Sequence, residues 1–432
     1  MLRRRAHLAA CPPSPEPEGV VLGRRLAGER VLPMSGPDLI WPFEQMRRHA
    51  VILGASGTGK TETSTRIAHQ VATKTDAPVF YLDAKGDRGS AERFCALMRA
   101  AGRSVRVFPN ERFDAWRGDW RAIVNRLLEV IEFVPEGPAA YYRDIAKTAL
   151  QLACNHPNGP PRSSAELLKR LDYELLLNAH GPATAVLSLP RDKVSQVRLR
   201  YEAFFGQLGS LLDGDWSFED TDAAYFLLDS VALGEDTAGA ASLLFADYAH
   251  YFTQRKDPDR LCVLFADEFA AIASSSDLAM KVEQARGFNA SLILVPQTVS
   301  GMGEPSQRDR IFGSVETVIA HAVNEPERIA ELAGARRALE LTHRFEGGAR
   351  LREGLARPED RPRVEADRIR ELGVGSAWLI RRGRAAKLAV RCAPGIEPVS
   401  LPRSQRIDAP LKRVQAQAPK EISYLDEEEE ED

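Results

Sequence analysis

A glycine-rich segment between an apolar strand and a helical pattern constrains the fold of this chain more than any other feature. Residues 54–61 read GASGTGKT and match the pattern G-x-x-x-x-G-K-[ST]. The apolar run AVIL at 50–53 precedes the segment, and helical spacing continues from Thr61 to Thr73. The full motif in this order disfavours an incidental glycine-rich turn and predicts a loop that encloses phosphate groups.

The position of each motif residue in such a loop predicts its chemistry. The glycines let successive backbone N–H groups point at phosphate oxygens, and the helix that begins near Lys60 adds the positive end of its dipole. Lys60 is expected to reach the β- and γ-phosphates of ATP, and the Thr61 hydroxyl is expected to bind Mg²⁺. The residues predicted to contact the nucleotide are Gly54, Ala55, Ser56, Gly57, Thr58, Gly59, Lys60, Thr61 and Glu62.

A second predicted strand ends in two acidic residues. Residues 261–266 read LCVLFA, and Asp267 and Glu268 follow. We expect Asp267 to hold Mg²⁺, directly or through water, because the nucleotide lies at the carboxyl ends of the strands. Glu268 is the predicted general base that polarises the attacking water. The run YFLLD at 225–229 ends similarly, but Ser230 stands where a catalytic glutamate would lie, so this run is predicted to be a neighbouring structural strand.

Gln297 follows the next apolar run, LILVP at 292–296. It is placed either to contact the γ-phosphate and report its presence or only to cap the strand. Arg286, Arg308 and Arg310 lie on the flanking elements. Each is a candidate arginine finger that reaches the ATP of a neighbouring subunit, or else a solvated surface residue.

The turn DAKGD at residues 83–87 follows the predicted strand VFYL at 79–82. Strand ends at this edge of a parallel sheet line the nucleotide cleft, so Asp83 or Lys85 would then lie beside the metal or the phosphates. The same residue types also form ordinary turns. Both interpretations remain open from the residues alone.

The alternation of strands and helices predicts an α/β fold with a mainly parallel sheet. Between about 120 and 212 the pattern becomes helical, which indicates an all-α insertion. The chain therefore divides into an irregular lead-in with short strands (1–48), the first part of the α/β domain (49–119), the insertion (120–212), the second part of the α/β domain (213–400) and a tail (401–432). The tail ends in seven acidic residues, so we expect it to be disordered.

Composition narrows the cellular setting and the partners. The net charge of −3 argues against a protein that coats nucleic acid with its whole surface, but it allows a local basic strip or pore. Five dispersed cysteines indicate reduced thiols in a cytosolic protein. Since no apolar run has the length of a membrane span, we expect a cytoplasmic chain at most associated with the inner face of the cell membrane. Membrane contact would then come through a partner or an N-terminal anchor outside this sequence.

Several segments together resemble the FtsK/HerA group of DNA-pumping ATPases, and within it the type IV coupling proteins of the TraG/TraD class. The turn at 82–87, LDAKGD, is similar to the family's D-P-K-G-D signature with Ala84 in place of proline, and residues 285–297 are similar to its G-R-K-F-G-x-S-L-I-L-A-T-Q segment. The lead-in VVLGR at 20–24, the place of the helical insertion and the run VNEPE at 323–327 also resemble that class.

This resemblance implies a RecA-like motor domain that assembles as a homohexamer, with DNA in the pore and ATP between subunits. It also favours the sensor role for Gln297, and it implies relaxosome or secretion-channel proteins as partners. Ala84, Ala285 and Pro296 depart from the usual motif, and the transmembrane helices with which coupling proteins usually begin are absent. Three functions therefore stay open: a coupling protein that delivers DNA or a relaxase–DNA complex, a HerA/FtsK-like translocase or helicase on double-stranded DNA, and an ATP-regulated module that recruits secretion substrates.

Overall fold

A central sheet of eleven strands organises the protein. The computed structural model describes residues 18–26, 35–131, 138–182, 184–229, 233–234, 236–268, 270, 278–346 and 349–402. The strands are β1 (Gly19–Leu26), β2 (Ser35–Pro42), β3 (Ala50–Leu53), β4 (Val79–Asp83), β5 (Val105–Phe108), β6 (Ala223–Leu227), β7 (Cys262–Asp267), β8 (Ala290–Val295), β9 (Thr317–Ala320), β10 (Ala335–Glu346), β11 (Ala349–Pro362), β12 (Ser376–Arg381) and β13 (Arg384–Val390). Their order in the central sheet is β2-β1-β13-β12-β9-β3-β8-β7-β4-β6-β5, and β10 and β11 form a separate pair.

Helices cover both faces of this sheet. They are α1 (Phe43–Met46), α2 (Lys60–Lys74), α3 (Arg88–Ala100), α4 (Trp120–Leu128), α5 (Pro138–Cys154), α6 (Ser164–Arg170), α7 (Tyr173–His180), α8 (Thr184–Leu187), α9 (Arg191–Leu208), α10 (Asp236–Gln254), α11 (Leu278–Ala285), α12 (Pro305–Ser314), α13 (Glu327–Ala333) and α14 (Ala366–Arg370). None of the helices in these described ranges is long and apolar enough to cross a membrane.

Seven neighbouring strands, from β9 to β5, are parallel. Their sequences are continuous apolar runs because both faces of a parallel sheet are buried under helices. All residues of β3, β4, β8 and β9 are buried. One core includes Ile67 of α2 and Phe94 of α3, and the other includes residues of the helices between β5 and β6. The predicted α/β fold with a mainly parallel sheet is confirmed.

The segment predicted as an irregular lead-in with short strands contains two eight-residue strands of the central sheet. β1 pairs antiparallel with both β2 and β13, and Gly23 lies opposite Val390. Trp41 of β2 is fully buried. The lead-in is thus an integral edge of the sheet, and the sequence pattern missed this because the partner strand lies near the other end of the chain. Residues 1–17 and 27–34 lie outside the described ranges.

The helices α4 to α9 stand where the sequence predicted an insertion. They share one apolar core with the sheet, since Leu150 and Tyr201 belong to the same cluster as Val51 and Phe80. A buried ion pair between Arg126 of α4 and Asp247 of α10 also joins them to the surrounding fold. The division of the chain into domains stays a prediction.

Two features near the C-terminal end differ from the predicted pattern. β10 and β11 form a long antiparallel hairpin that the sequence did not predict. Residues 391–402 then run in an irregular, extended course across α3. Leu401, which the sequence assigned to the polar tail, is buried, and its N–H donates a 3.1 Å hydrogen bond to Glu92 Oε1. The ordered chain therefore continues past the predicted boundary at 400, and residues 403–432, including the acidic run, lie outside the described part.

Candidate active site

The predicted site residues other than Arg286 and Arg310 meet at the carboxyl ends of β3, β4, β7 and β8. This is the edge at which open α/β sheets bind ligands. A cavity of about 220 Å³ opens there. Its lining residues are Ser56, Gly57, Gly59, Lys60, Thr61, Glu62, Asp83, Lys85, Asp87, Ser90, Asp267, Glu268 and Gln297.

The loop between β3 and α2 takes a conformation that requires glycine at two positions. Gly57 has φ of 77° and Gly59 has φ of 111°, both in the left-handed region that side chains disfavour. A Cβ atom on Gly54 would lie 2.5 Å from Thr58 Oγ1 and 2.8 Å from His321 Cβ. Backbone conformation at two positions and a close contact at the third therefore explain why glycine occupies these three places in the motif. The loop curls tightly around the amino-terminal end of α2.

Lys60, the first residue of α2, folds back over its own loop. Its Nζ donates hydrogen bonds to the carbonyl oxygens of Gly54 and Ala55, the second at 3.1 Å. Burial lowers the pKa of Lys60, and the negative charges of Asp267 and Glu268 act in the opposite direction. An ammonium group bound to these two neutral carbonyls at the mouth of the loop is a suitable partner for a phosphate.

His321 supports the loop from behind, a role that the sequence did not reveal. It follows β9, is fully buried, and shares a 2.9 Å hydrogen bond between Nε2 and Thr63 Oγ1 of α2. Its Nδ1 lies 3.1 Å from the carbonyl oxygen of Ser376. Burial lowers the pKa of His321 to about 4, so the ring is neutral at pH 7.

Asp267 ends β7, and its carboxylate is held by a tyrosine from the adjacent strand. Tyr81 Oη donates a 2.9 Å hydrogen bond to Asp267 Oδ2 and lies 3.0 Å from Ser64 Oγ of α2. Burial raises the pKa of Asp267 to about 6, and the nearby charge of Asp83 adds to this. The fold itself thus holds the carboxylate in a fixed orientation, as a metal ligand at this position would require.

Glu268 and Gln297, predicted as the general base and the sensor, contact each other. Gln297 Nε2 donates a 2.6 Å hydrogen bond to Glu268 Oε2. The backbone of Glu268 has φ of 53°, a left-handed conformation that is uncommon outside glycine and occurs often at functional sites. This conformation places Glu268 beside Asp267 at the cavity, since both line it.

The Asp83 carboxylate stabilises the turn at residues 83–87. Its carboxylate accepts hydrogen bonds from the backbone N–H groups of Lys85, Gly86 and Asp87 at 2.9 to 3.1 Å, and from Tyr225 Oη at 2.8 Å. Burial raises the pKa of Asp83. The arrangement favours the turn interpretation for Asp83, and it leaves Lys85 as the cation of this turn that lines the cavity.

Glu62 lines the cavity, but its carboxylate is bound elsewhere. Oε1 accepts hydrogen bonds from Arg93 Nη2 of α3 at 2.9 Å and from the backbone N–H of Ala393 at 2.6 Å. The side chain therefore ties α2 to α3 and to the segment 391–402. The prediction that Glu62 contacts nucleotide is untested, and this geometry gives the carboxylate a structural role.

Arg286 and Arg310, the candidate arginine fingers, do not line this cavity. Arg310 Nε and Nη2 each donate a 3.0 Å hydrogen bond to the carboxylate of Glu283. Arg286 lies in a short 3₁₀ turn before β8, at the opposite edge of the sheet. Neither residue belongs to the site formed within one chain, and their action on a neighbouring subunit stays a prediction.

Local sequence patterns identified the loop and the acidic pair but missed Tyr81, Ser64 and His321. Tyr81 precedes Asp83 by two residues on β4, so the two side chains point to the same face of the sheet. The sequence contains one indication of the role of Tyr81. Its hydroxyl is a polar group in an otherwise apolar strand, two residues before the acidic end of that strand.

Comparison with known proteins finds similar sequences and similar folds. Residues 33–98 match the family described as helicase HerA-like C-terminal. A segment of 69 residues is 32% identical to the type 4 coupling protein DotL of Legionella pneumophila subsp. pneumophila (strain Philadelphia 1). That match covers 16% of this chain and only 9% of DotL.

Solved structures extend the likeness over most of the chain. The unbound form of the bacterial conjugative coupling protein TrwBdeltaN70 superposes with a TM-score of 0.65 at 16% identity, covering 82% of this chain and 87% of that one. The fold is that of the conjugative coupling proteins. TrwB in complex with ADP and Mg²⁺ gives a TM-score of 0.63 at 15% identity, covering 88% of this chain and 96% of that one. VirB4 of Thermoanaerobacter pseudethanolicus gives 0.59 at 15% identity, covering 87% and 97%. The resemblance drawn from the motifs is thereby confirmed.

Proposed function

We propose that this chain is a P-loop ATPase that drives DNA translocation in the manner of a type IV coupling protein. The observation that carries the ATPase proposal is the contact between Glu268 and Gln297 beside Asp267, at the mouth of a complete phosphate-binding loop. A site that only bound nucleotide would not need a carboxylate placed as a general base.

Five residues around the cavity have separable tasks in the proposed ATP hydrolysis. Lys60 exchanges its two carbonyl partners for the β- and γ-phosphates, and Thr61 and Asp267 hold Mg²⁺. Bound Mg²⁺ supplies charge neutralisation at the phosphate oxygens. Glu268 accepts the proton of the attacking water. Gln297, which already contacts that carboxylate, reports on the γ-phosphate.

The residues present fit a magnesium nucleotide. Thr61 and Asp267 line the same cavity as Lys60, and they supply hydroxyl and carboxylate oxygens, which Mg²⁺ prefers. A buried carboxylate with a pKa raised to about 6 gains most from a cation that neutralises it. TrwB, whose fold this chain shares, has been solved with ADP and Mg²⁺.

The motor proposal rests on the likeness to coupling proteins and on the helices between β5 and β6. We propose a homohexamer on ATP and DNA binding, with Arg286 or Arg310 as the finger that reaches the next subunit's nucleotide. DNA, the relaxosome and secretion-channel proteins are the proposed partners. Membrane contact would come through such a partner or through an anchor outside this sequence.

A HerA-like translocase on double-stranded DNA is the second candidate function. The match of residues 33–98 to the HerA-like family favours it. The two candidates share the same hydrolytic site and differ in the strand type that stimulates it.

The ATPase rate measured without DNA, with single-stranded DNA and with duplex DNA tests the proposal. We expect DNA to raise the rate several-fold, and Glu268→Gln to abolish it under all three conditions. Preference for single strands supports the coupling protein, and preference for duplex supports the HerA-like translocase. A rate that DNA does not change at low salt contradicts the motor and favours a substrate-recruiting module.

A further inference from the structure

A second cavity lies at the edge of the sheet opposite the candidate active site, where β3 and β9 begin and β12 ends. Its volume is about 320 Å³. The charged residues that line it are four arginines and one glutamate: Arg48, Arg286, Arg381, Arg382 and Glu316. We call it the arginine cavity. Its charged lining carries an excess of three positive charges.

Glu316 is shared between two of these arginines. Arg48 Nη1 lies 2.6 Å from Glu316 Oε2, and Arg382 Nε lies 3.0 Å from Glu316 Oε1. The carboxylate is 10% exposed; Oε2 accepts hydrogen bonds from Arg48 and Arg382, and Oε1 has no hydrogen-bond partner within the described residues. These two ion pairs involve Arg48 and Arg382, so a single carboxylate serves the four arginines of the cavity.

Arg381 lies outside both of these ion pairs. Its Nη1 is buried and has no hydrogen-bond partner among the residues that the structure describes. A buried cationic donor without a partner is costly, so it indicates an anionic ligand that completes the site. The planar guanidinium group pairs with phosphate through two parallel hydrogen bonds.

Apolar side chains and Ser314 are part of the remaining wall of the arginine cavity. Phe312, Val318, Leu332 and Ile380 line it beside the arginines. A bare inorganic ion would not use this surface, whereas the sugar and base of a nucleotide unit pack against apolar side chains. The combination fits a phosphate group carried on a nucleotide.

We propose that the arginine cavity binds a phosphate group of a nucleotide unit, with Arg381 as its principal ligand. The chain's own ATP is excluded as the source, because the phosphate-binding loop lies at the other end of β3. Two sources remain: the backbone of a nucleic acid, and the nucleotide of a neighbouring copy of this chain. We favour the nucleic acid as the source of the phosphate, and this choice rests on the proposed function.

Binding of a fluorescent single-stranded and a duplex oligonucleotide, measured by anisotropy over a salt series, tests the nucleic-acid source. Arg381→Gln is expected to weaken binding about three- to tenfold and to reduce the slope of log K against log salt by about one. Glu316→Gln, which removes the only carboxylate among the described lining residues, is expected to strengthen binding. The matched control is Arg328→Gln, because Arg328 is a surface arginine paired with Asp309 and Glu331.

The DNA-free ATPase rate, followed against protein concentration, tests the other source. If Arg381→Gln lowers this rate below that of Arg328→Gln and leaves DNA affinity unchanged, the phosphate belongs to the neighbouring copy's nucleotide. If Arg381→Gln and Glu316→Gln both behave like Arg328→Gln in the DNA-binding assay and in the ATPase assay, the proposal is overturned. If the wild-type chain hydrolyses ATP but binds no DNA, the proposed function is contradicted instead. The DNA-free ATPase rate of Arg381→Gln then tests whether the arginine cavity binds the nucleotide of a neighbouring copy. Thermal unfolding checks that the variants fold.

Discussion

Tyr81 Oη donates a 2.9 Å hydrogen bond to Asp267 Oδ2 across the boundary between β4 and β7. The next strand repeats the arrangement, since Tyr225 Oη of β6 donates to Asp83 Oδ2 at 2.8 Å. The two tyrosine rings stack with centroids 5.0 Å apart and an interplanar angle of 4°. Each phenol thus crosses diagonally to a carboxylate at a strand end, and only the Asp267 pair lies where magnesium is proposed to bind.

Tyr81→Phe is expected to lower kcat about tenfold and to raise the KM for Mg²⁺, while ATP affinity changes little. Loss of a partner that orients a metal ligand typically costs 10- to 100-fold in affinity or activity. Steady-state rates over a magnesium series measure both quantities. Tyr225→Phe is the matched control, because it removes the same hydroxyl from the same stack but acts on Asp83. Equal effects of the two variants on the magnesium dependence would show that the stack, and not the Asp267 contact, is responsible.

Glu268→Gln is expected to lower the single-turnover hydrolysis rate by about 10² to 10⁴, the range for loss of a general base. The amide keeps the size of the side chain, so nucleotide affinity should remain within a few-fold of wild type. Rapid-quench hydrolysis and fluorescent-nucleotide titration measure the two effects. Hydrolysis at the wild-type rate would show that Glu268 is not the base.

Gln297→Ala is expected to reduce DNA stimulation of the ATPase more than the DNA-free rate. The side chain contacts Glu268, and it is proposed to pass the state of the γ-phosphate to the rest of the motor. The ratio of stimulated to basal rate is the relevant measurement. A proportional loss of both rates would mean that Gln297 only positions Glu268.

Lowering the pH from 6.5 towards 4 is expected to destabilise the fold through two buried histidines. Burial lowers the pKa of His49 and of His321 from 6.5 to about 4. In this window the unfolded chain binds more protons than the native chain, so the free energy of unfolding falls as pH falls. The loss reaches about 3 kcal/mol per histidine at the lower end. Urea unfolding at pH 7 and pH 5 measures the net effect, which the raised pKa of Asp267 partly offsets. His321→Gln should reduce the difference by the contribution of one histidine. An unchanged difference in that variant would exclude His321 as a source.

Glu62→Ala is expected to destabilise the protein by about 1 to 3 kcal/mol, the range for losing hydrogen bonds to a charged group. Its carboxylate joins Arg93 and the backbone of Ala393. Arg93→Ala breaks the same ion pair without altering α2 and should show a similar loss in chemical denaturation. A fall in nucleotide affinity for Glu62→Ala alone would instead support its assignment as a nucleotide contact.

Local chemistry made the candidate site predictable in part. The glycines, Lys60, Thr61, Asp267 and Glu268 lie in short segments whose flanking strands are unbroken apolar runs, so their place at one sheet edge follows from the period of the pattern. Tyr81 and His321 act through side chains that meet other elements of the fold. Their partners are set by strand register, which the sequence does not state.

The same limit applies to the fold. β10 and β11 were not predicted because charged residues such as Arg336, Arg337 and Glu340 interrupt any apolar alternation. The local pattern assigns β1 to an irregular lead-in because β1 joins the central sheet through β13, which is distant from it in the sequence. Long-range pairing, and not local propensity, decided both cases.

The pairing of Gly23 with Val390 also orders events during biosynthesis. β1 leaves the ribosome before the other strands of the central sheet, and β13 leaves after them. The β1–β2 hairpin can form early, but the edge of β1 that pairs with β13 keeps unpaired backbone groups until β13 has been translated. Such non-local closure is slow and exposes intermediates to aggregation. The nascent chain is therefore expected to depend on protection of that edge, by chaperones or by rapid elongation, long before its phosphate-binding loop is of any use.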